Sequence, residues 1–149
     1  MTNYKQPITD DDCKNLIDFQ IGEGTRRIVY SVKNNPNVII KEMKNIFPGS
    51  NMYEHFLWNF MSSTKLSNVF GKCFTISESG KYLIMEYLSN LDKSDHEKIP
   101  LLPSWCNDKR PENFEKDQGG NIKYRDYDLV RHEEIGALLA DDEKTSFTI

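Results

Sequence analysis

The chain has 149 residues, of which 38% are hydrophobic and 28% charged, and it carries a net charge of −4. That length suits one domain with a core large enough to be stable. With no apolar run near eighteen residues, a membrane-spanning helix is excluded, and the acidic balance argues against nucleic acid, whose phosphates demand clustered Lys and Arg. The opening MTNYKQPITDDD has neither a basic start nor an apolar stretch, so no secretory signal is expected. Cys13, Cys73 and Cys106 are odd in number and lack metal-ligand spacing, so they read as free thiols in a reducing cytoplasm. The three histidines are scattered, which argues against a zinc site.

In chain order, residues 17–22 and 28–33 read as two strands around a glycine-containing loop. Asn34, Asn35, Pro36 and Asn37 predict a turn, and Val38, Ile39 and Ile40 a third, β-branched strand. Tyr53, Phe56, Leu57, Phe60 and Met61 fall at i, i+3, i+4, i+7 and i+8, which predicts one apolar stripe along a helix. Residues 70–77 and 81–87 predict two more strands with Ser79-Gly80 turning between them. Residues 89–98 read as a polar linker or short helix. Beyond them, 114–117 and 122–126 flank Gln118-Gly119-Gly120-Asn121 as a hairpin, 133–139 has weak helical character, and the last residues are expected to fray.

Four local features carry chemistry. Gly22-Glu23-Gly24 lies between two predicted strands, where glycines let backbone amides approach phosphates, although the segment alone favours a plain glycine hairpin. Lys41 ends the run Val38-Ile39-Ile40, where an ammonium can meet phosphate oxygens or simply snorkel from an edge. Glu54 has two readings: an ion-pair partner for Lys41, or the third position of a capping box begun by Asn51. The strongest feature is Asp108-Lys109-Arg110-Pro111-Glu112-Asn113, followed by Asp126. A turn centred between Gly119 and Gly120 sets Asn113 opposite Asp126 with Cβ atoms about 4.5–5.5 Å apart. An amide oxygen and a carboxylate at that spacing can share Mg2+, with Asp108 close by.

Taken together and in this order, these residues resemble the protein-kinase superfamily over roughly residues 17–131. Gly22-x-Gly24-x-x-Arg27-x-Val29 looks like the glycine-rich loop, Val38-Ile39-Ile40-Lys41 like the strand bearing the ATP-contacting lysine, and Glu54 like its helical partner. Leu83-Ile84-Met85-Glu86-Tyr87-Leu88 resembles the last strand and hinge against which adenine packs. Cys106-Asn107-Asp108 with Asn113 resembles the catalytic loop, and Asp126-Tyr127-Asp128 stands where the metal-binding Asp-Phe-Gly would be. The resemblance implies an α+β, protein-kinase-like chain. Residues 1–87 would form an N-lobe with a five-stranded antiparallel sheet and one helix, and 88–149 a hinge and a reduced C-lobe with catalytic loop and hairpin.

By that resemblance ATP and Mg2+ are the cofactors. Lys41 would bind the α- and β-phosphates, oriented by Glu54, and Asn113 with Asp126 would hold the metal. Asp108 would take the acceptor proton, the backbone of Glu86 and Leu88 would bond adenine, and Met85 would limit the pocket's depth. Three positions depart from the pattern. Arg27 replaces the third glycine and, with Arg26, puts two arginines at a loop tip; Cys106 replaces a histidine; Asp128 replaces a glycine. Only 20 residues separate Tyr87 from Asp108 and only 23 follow Asp126, so the helical platform that the resemblance would supply for peptide substrates is expected to be missing. A thinly covered second lobe favours a protein partner or self-association. Two function classes follow: a minimal kinase acting on a protein, a small acceptor or itself, and a pseudokinase that binds and regulates a partner. An aminoglycoside-phosphotransferase-like enzyme ranks behind both, because the chain leaves little room for that family's substrate helices. Compact kinase-like chains of this kind suggest a bacteriophage or bacterial-effector origin.

Overall fold

The computed structural model describes residue 4 and residues 6–45, 49–100 and 113–125. Its first helix, α1 (Asp10–Leu16), begins at Thr9, whose hydroxyl accepts from the Asp12 amide at 3.0 Å while the Asp12 carboxylate accepts from the Thr9 amide at 3.2 Å. That reciprocal pair is a capping box, and Asp10, Asp11 and Asp12 complement the positive helix start. Sequence periodicity missed this helix because seven residues bury one side chain, Cys13; the available signal was Thr9 three positions before Asp12. Burial, reinforced by Asp10 and Asp12, pushes the Cys13 thiol up to about 12.

Five strands follow: β1 (Ile17–Glu23), β2 (Arg27–Val32), β3 (Asn35–Met43), β4 (Cys73–Ile76) and β5 (Tyr82–Glu86). They form one antiparallel sheet in the order β1-β2-β3-β5-β4, with helix α2 (Gly49–Met61) inserted between β3 and β4. The α+β class and the five-stranded antiparallel sheet are therefore as the sequence predicts. The β2–β3 turn is shorter than expected. Asn34 takes a left-handed φ of 59°, which asparagine tolerates, so Lys33 and Asn34 alone reverse the chain and Asn35 already pairs with Val32.

Alternation along the strands sorts the side chains onto two faces. Val32, Val38, Ile40, Tyr82 and Ile84 join Ile8 and Cys13 in one core cluster, with Leu16 and Ile17 packed against it. The intervening residues Ile39 and Lys41 on β3, Leu83 and Met85 on β5, and Val29 on β2 lie in register on the opposite face.

Helix α2 forms where predicted but is rotated from the predicted stripe. Its buried residues are Ser50, Asn51, Glu54, Leu57, Trp58 and Met61, while Met52, Phe56 and Phe60 are 53%, 55% and 45% exposed. Two polar side chains, Asn51 and Glu54, thus sit on the inner face in place of two phenylalanines. Hydrophobicity alone favours the reverse by about 1.5–3 kcal/mol for each large apolar side chain, so Asn51 and Glu54 must find strong partners inside.

The chain groups into two compact units, residues 1–59 with 72–87, and residues 60–71 with 88–149. Within the second, short strands β6 (Ser89–Asn90), β7 (Phe114–Lys116) and β8 (Ile122–Tyr124) form a small antiparallel sheet in that order. Tyr124 packs edge-on against Phe70 and Phe114, with ring centroids 5.7 and 5.3 Å apart. Lys116 ties to Asp95 at 2.9 Å and to Asp92 at 3.2 Å. The β7–β8 register departs from expectation by one residue. Phe114 pairs with Tyr124 and Lys116 with Ile122, and the Asp117 amide donates to Asn121 O at 3.0 Å. The loop is therefore Gln118-Gly119-Gly120, closed by the Asp117 carboxylate accepting from the Asn121 amide at 2.9 Å, with Gly120 at a left-handed φ of 83°. The turn centres on Gly119, and the Arg125 amide donates to Asn113 O at 2.9 Å.

Candidate functional site

The partners of the buried polar face of α2 are two cations on adjacent strands. Lys41 lies inside β3, paired with Val29 on one side and Leu83 on the other. Its Nζ donates to Glu54 Oε1 at 3.1 Å. Arg27, the first residue of β2, places Nη1 2.7 Å from Glu54 Oε2. That contact is an ion pair out of hydrogen-bond alignment, and the same Nη1 donates to Asn51 Oδ1 at 3.2 Å. All three charged residues are interior: Lys41 is 6% exposed, Arg27 7% and Glu54 0%.

Of the two readings open for Glu54, the ion pair with Lys41 is the one formed. The helix begins at Gly49, so Asn51 lies within its first turn and is not its cap. The Asn51 amide instead donates to the carbonyls of Lys41 at 3.0 Å, Gly80 at 3.1 Å and Lys81 at 2.8 Å. This pins the start of α2 to β3 and to the β4–β5 turn. A buried ion pair is seldom the most stable filling of its space, since desolvation offsets much of the Coulomb gain. A carboxylate buried between two cations therefore points to a chemical use.

The β1–β2 hairpin closes tightly. The Gly24 amide donates to Arg27 O at 2.8 Å, leaving Thr25 and Arg26 as the turn, while Gly22 pairs with Val29. Neither Gly22 nor Gly24 has a positive φ. A Cβ added at Gly22 would meet nothing nearer than 3.8 Å, and at Gly24 nothing nearer than 3.9 Å. The hairpin thus does not require glycine at either position, and the open space lets a ligand's phosphates come close to backbone amides. Gly22→Ala and Gly24→Ala are expected to leave thermal stability unchanged or raise it by up to about 1 kcal/mol, checked by calorimetric unfolding; a loss of stability would make these glycines structural.

The remaining predicted residues fall as follows. Arg27 turns inward to Glu54, so of the two arginines expected at the loop tip only Arg26 stays at the exposed turn. Val29 is half-buried beside Lys41, and Met85 is buried opposite Ile39 on the same face. The Glu86 amide donates to Lys72 O at 2.9 Å and its carboxylate accepts from the Lys72 amide at 2.7 Å. Leu88 is half-buried at the start of the second unit's segment. Asn113 precedes β7; Asp108 and Asp126, with Cys106 and Asp128, lie outside the described residues. Sequence reasoning missed Asn51 as a site residue because an asparagine at a helix start reads first as a cap.

The arrangement has groups that could hold a polyphosphate. It offers a flexible ammonium anchored on a carboxylate, a second cation behind that carboxylate, and glycines that leave the hairpin backbone open to approach. No known protein family matches the chain, and no curated protein matches it in sequence.

Proposed function

We propose that the protein is a minimal protein-kinase-like phosphotransferase that uses ATP and Mg2+ to phosphorylate a hydroxyl on a protein or on itself. The observation that carries this reading is the buried ion pair between Lys41 on β3 and Glu54 on α2. It sits in a five-stranded antiparallel sheet whose inserted α-helix, α2, follows the lysine strand, the order of elements that the resemblance implies.

When bound, ATP supplies the transferable phosphoryl group and Mg2+ neutralises charge as it moves. The chain's own residues bind and orient. Lys41 presents its ammonium to α- and β-phosphate oxygens, and Glu54 holds that ammonium in direction. Gly22 and Gly24 leave room for backbone amides, while Val29 and Met85, on the face of the sheet that carries Lys41, supply apolar surface for the base. Backbone groups of Glu86 and Leu88 would hydrogen-bond the base's polar edge. Asn113 and Asp126 offer only oxygen donors, a set chemically suited to Mg2+. Asp108 accepts the proton of the acceptor hydroxyl.

Thermal unfolding with and without ATP and Mg2+ tests the reading, because a ligand of the native state raises its stability. The expected result is an upward shift that requires Mg2+ and disappears in Asp126→Ala. No shift at millimolar nucleotide overturns it. The exposure of Met52 and Phe56 on α2 favours a second reading, a pseudokinase that binds and regulates a partner protein, and that reading predicts partner capture without phosphoryl transfer.

A further inference from the structure

Arg27 stands where the β1–β2 turn enters the sheet, and its guanidinium runs inward to Glu54 and Asn51. Asn51 in turn binds the carbonyls of Lys41, Gly80 and Lys81. One residue of β2, one of β3, the β4–β5 turn and the start of α2 therefore join in a ring of polar contacts around a fully buried carboxylate. We propose that Arg27 and Asn51 are positioning residues that hold α2 and Glu54 in place independently of Lys41, so that Lys41 can turn its ammonium toward phosphate without leaving Glu54 uncompensated.

The chemistry divides the work between two cations. A carboxylate with no solvent exposure is very costly without a counter-ion. If Lys41 were its only cation, every movement of the ammonium toward a ligand would weaken the hold on α2. Arg27 removes that conflict by keeping a positive charge 2.7 Å from the second carboxylate oxygen. The residue types match these duties: guanidinium is planar, weakly hydrated and suited to permanent burial, whereas an ammonium on a flexible stem changes partners readily. It follows that the Lys41–Glu54 pair is assembled before any ligand arrives, and that α2 does not swing to complete the site.

The role at phosphate rests on the nucleotide reading above, but the hold on α2 is measurable without nucleotide. Hydrogen exchange on the ligand-free protein, wild type against Arg27→Gln, is expected to show α2 amides opening at least about tenfold faster while β3 and β5 amides stay unchanged. MgATP is expected to bind Arg27→Gln at least about tenfold more weakly, and Arg27→Lys to restore both quantities only in part, since it returns the charge but not the planar guanidinium suited to burial. Asn51→Ala, the second variant, should loosen the same α2 amides. Unchanged α2 exchange in both variants overturns the proposal, as does acceleration spread evenly over helix and sheet, which would mark a general scaffold role. If the wild type binds no MgATP while α2 loosens as described, the nucleotide reading fails and the hold on Glu54 stands. If the wild type binds MgATP and Arg27→Gln binds it equally well, the positioning role fails and the nucleotide reading stands.

Discussion

Replacing Glu54 with alanine is expected to destabilise the protein by about 3–5 kcal/mol, the range found when one partner of a buried ion pair is removed, and so to lower the melting temperature by roughly 10 °C or more. The cause is local. Glu54 is fully buried, and its two carboxylate oxygens face Lys41 at 3.1 Å and Arg27 at 2.7 Å. Truncation strips the carboxylate from two interior cations and opens a cavity between α2 and the sheet. Glu54→Gln, which keeps the shape but not the charge, should lie between wild type and alanine. A triple replacement of Arg27, Lys41 and Glu54 by apolar residues of similar volume should recover most of the loss, because it removes the desolvation cost along with the attraction. Chemical denaturation of the four proteins decides the matter. An alanine variant as stable as wild type would mean that the trio contributes nothing to holding α2.

The second large effect concerns ligand binding. Lys41→Met is expected to cost much less stability than Glu54→Ala, since Arg27 still faces the carboxylate and methionine fills a similar length, yet to abolish most of the stabilisation by MgATP. At a nucleotide concentration one hundred times the dissociation constant, a bound ligand adds about 2.7 kcal/mol. A hundredfold loss of affinity reduces that to about 0.4 kcal/mol at the same concentration. Thermal shift measurements on both proteins at matched nucleotide read the difference directly. Full retention of the shift in Lys41→Met would reduce Lys41 to a structural counter-ion of Glu54. Together the two variants separate the jobs of the pair, because the carboxylate should dominate stability and the ammonium should dominate binding.

Much of the first unit was legible along the chain. The strand segments alternate or are rich in β-branched residues, and their partners are mostly neighbours in sequence, so local pattern and topology agree. The helix was legible in existence but not in rotation. Its apolar period runs through Phe56 and Phe60, yet both stay exposed because Asn51 and Glu54 meet cations and carbonyls on strands that lie ten or more residues away. The β7–β8 hairpin was legible from its glycines, but its register was not, because the Asp117 carboxylate captures the Asn121 amide and shortens the loop by one residue. One residue of register exchanges which side chain faces which, and here it brings the Arg125 amide to the Asn113 carbonyl.

By itself the sequence determined the α+β class, the five strands, the place of α2 between the third and fourth of them, and the attachment of Lys41 to an apolar strand, since each of these follows from local propensity and periodicity. The tertiary structure decided the rest: that Glu54 is an ion-pair partner and not part of a cap, that Arg27 turns inward, and that Asn51 joins the helix to three carbonyls. The physical reason is that a buried charge is tolerated only where compensating groups converge in space, and that convergence is a property of the packed sheet and helix together, not of any one segment.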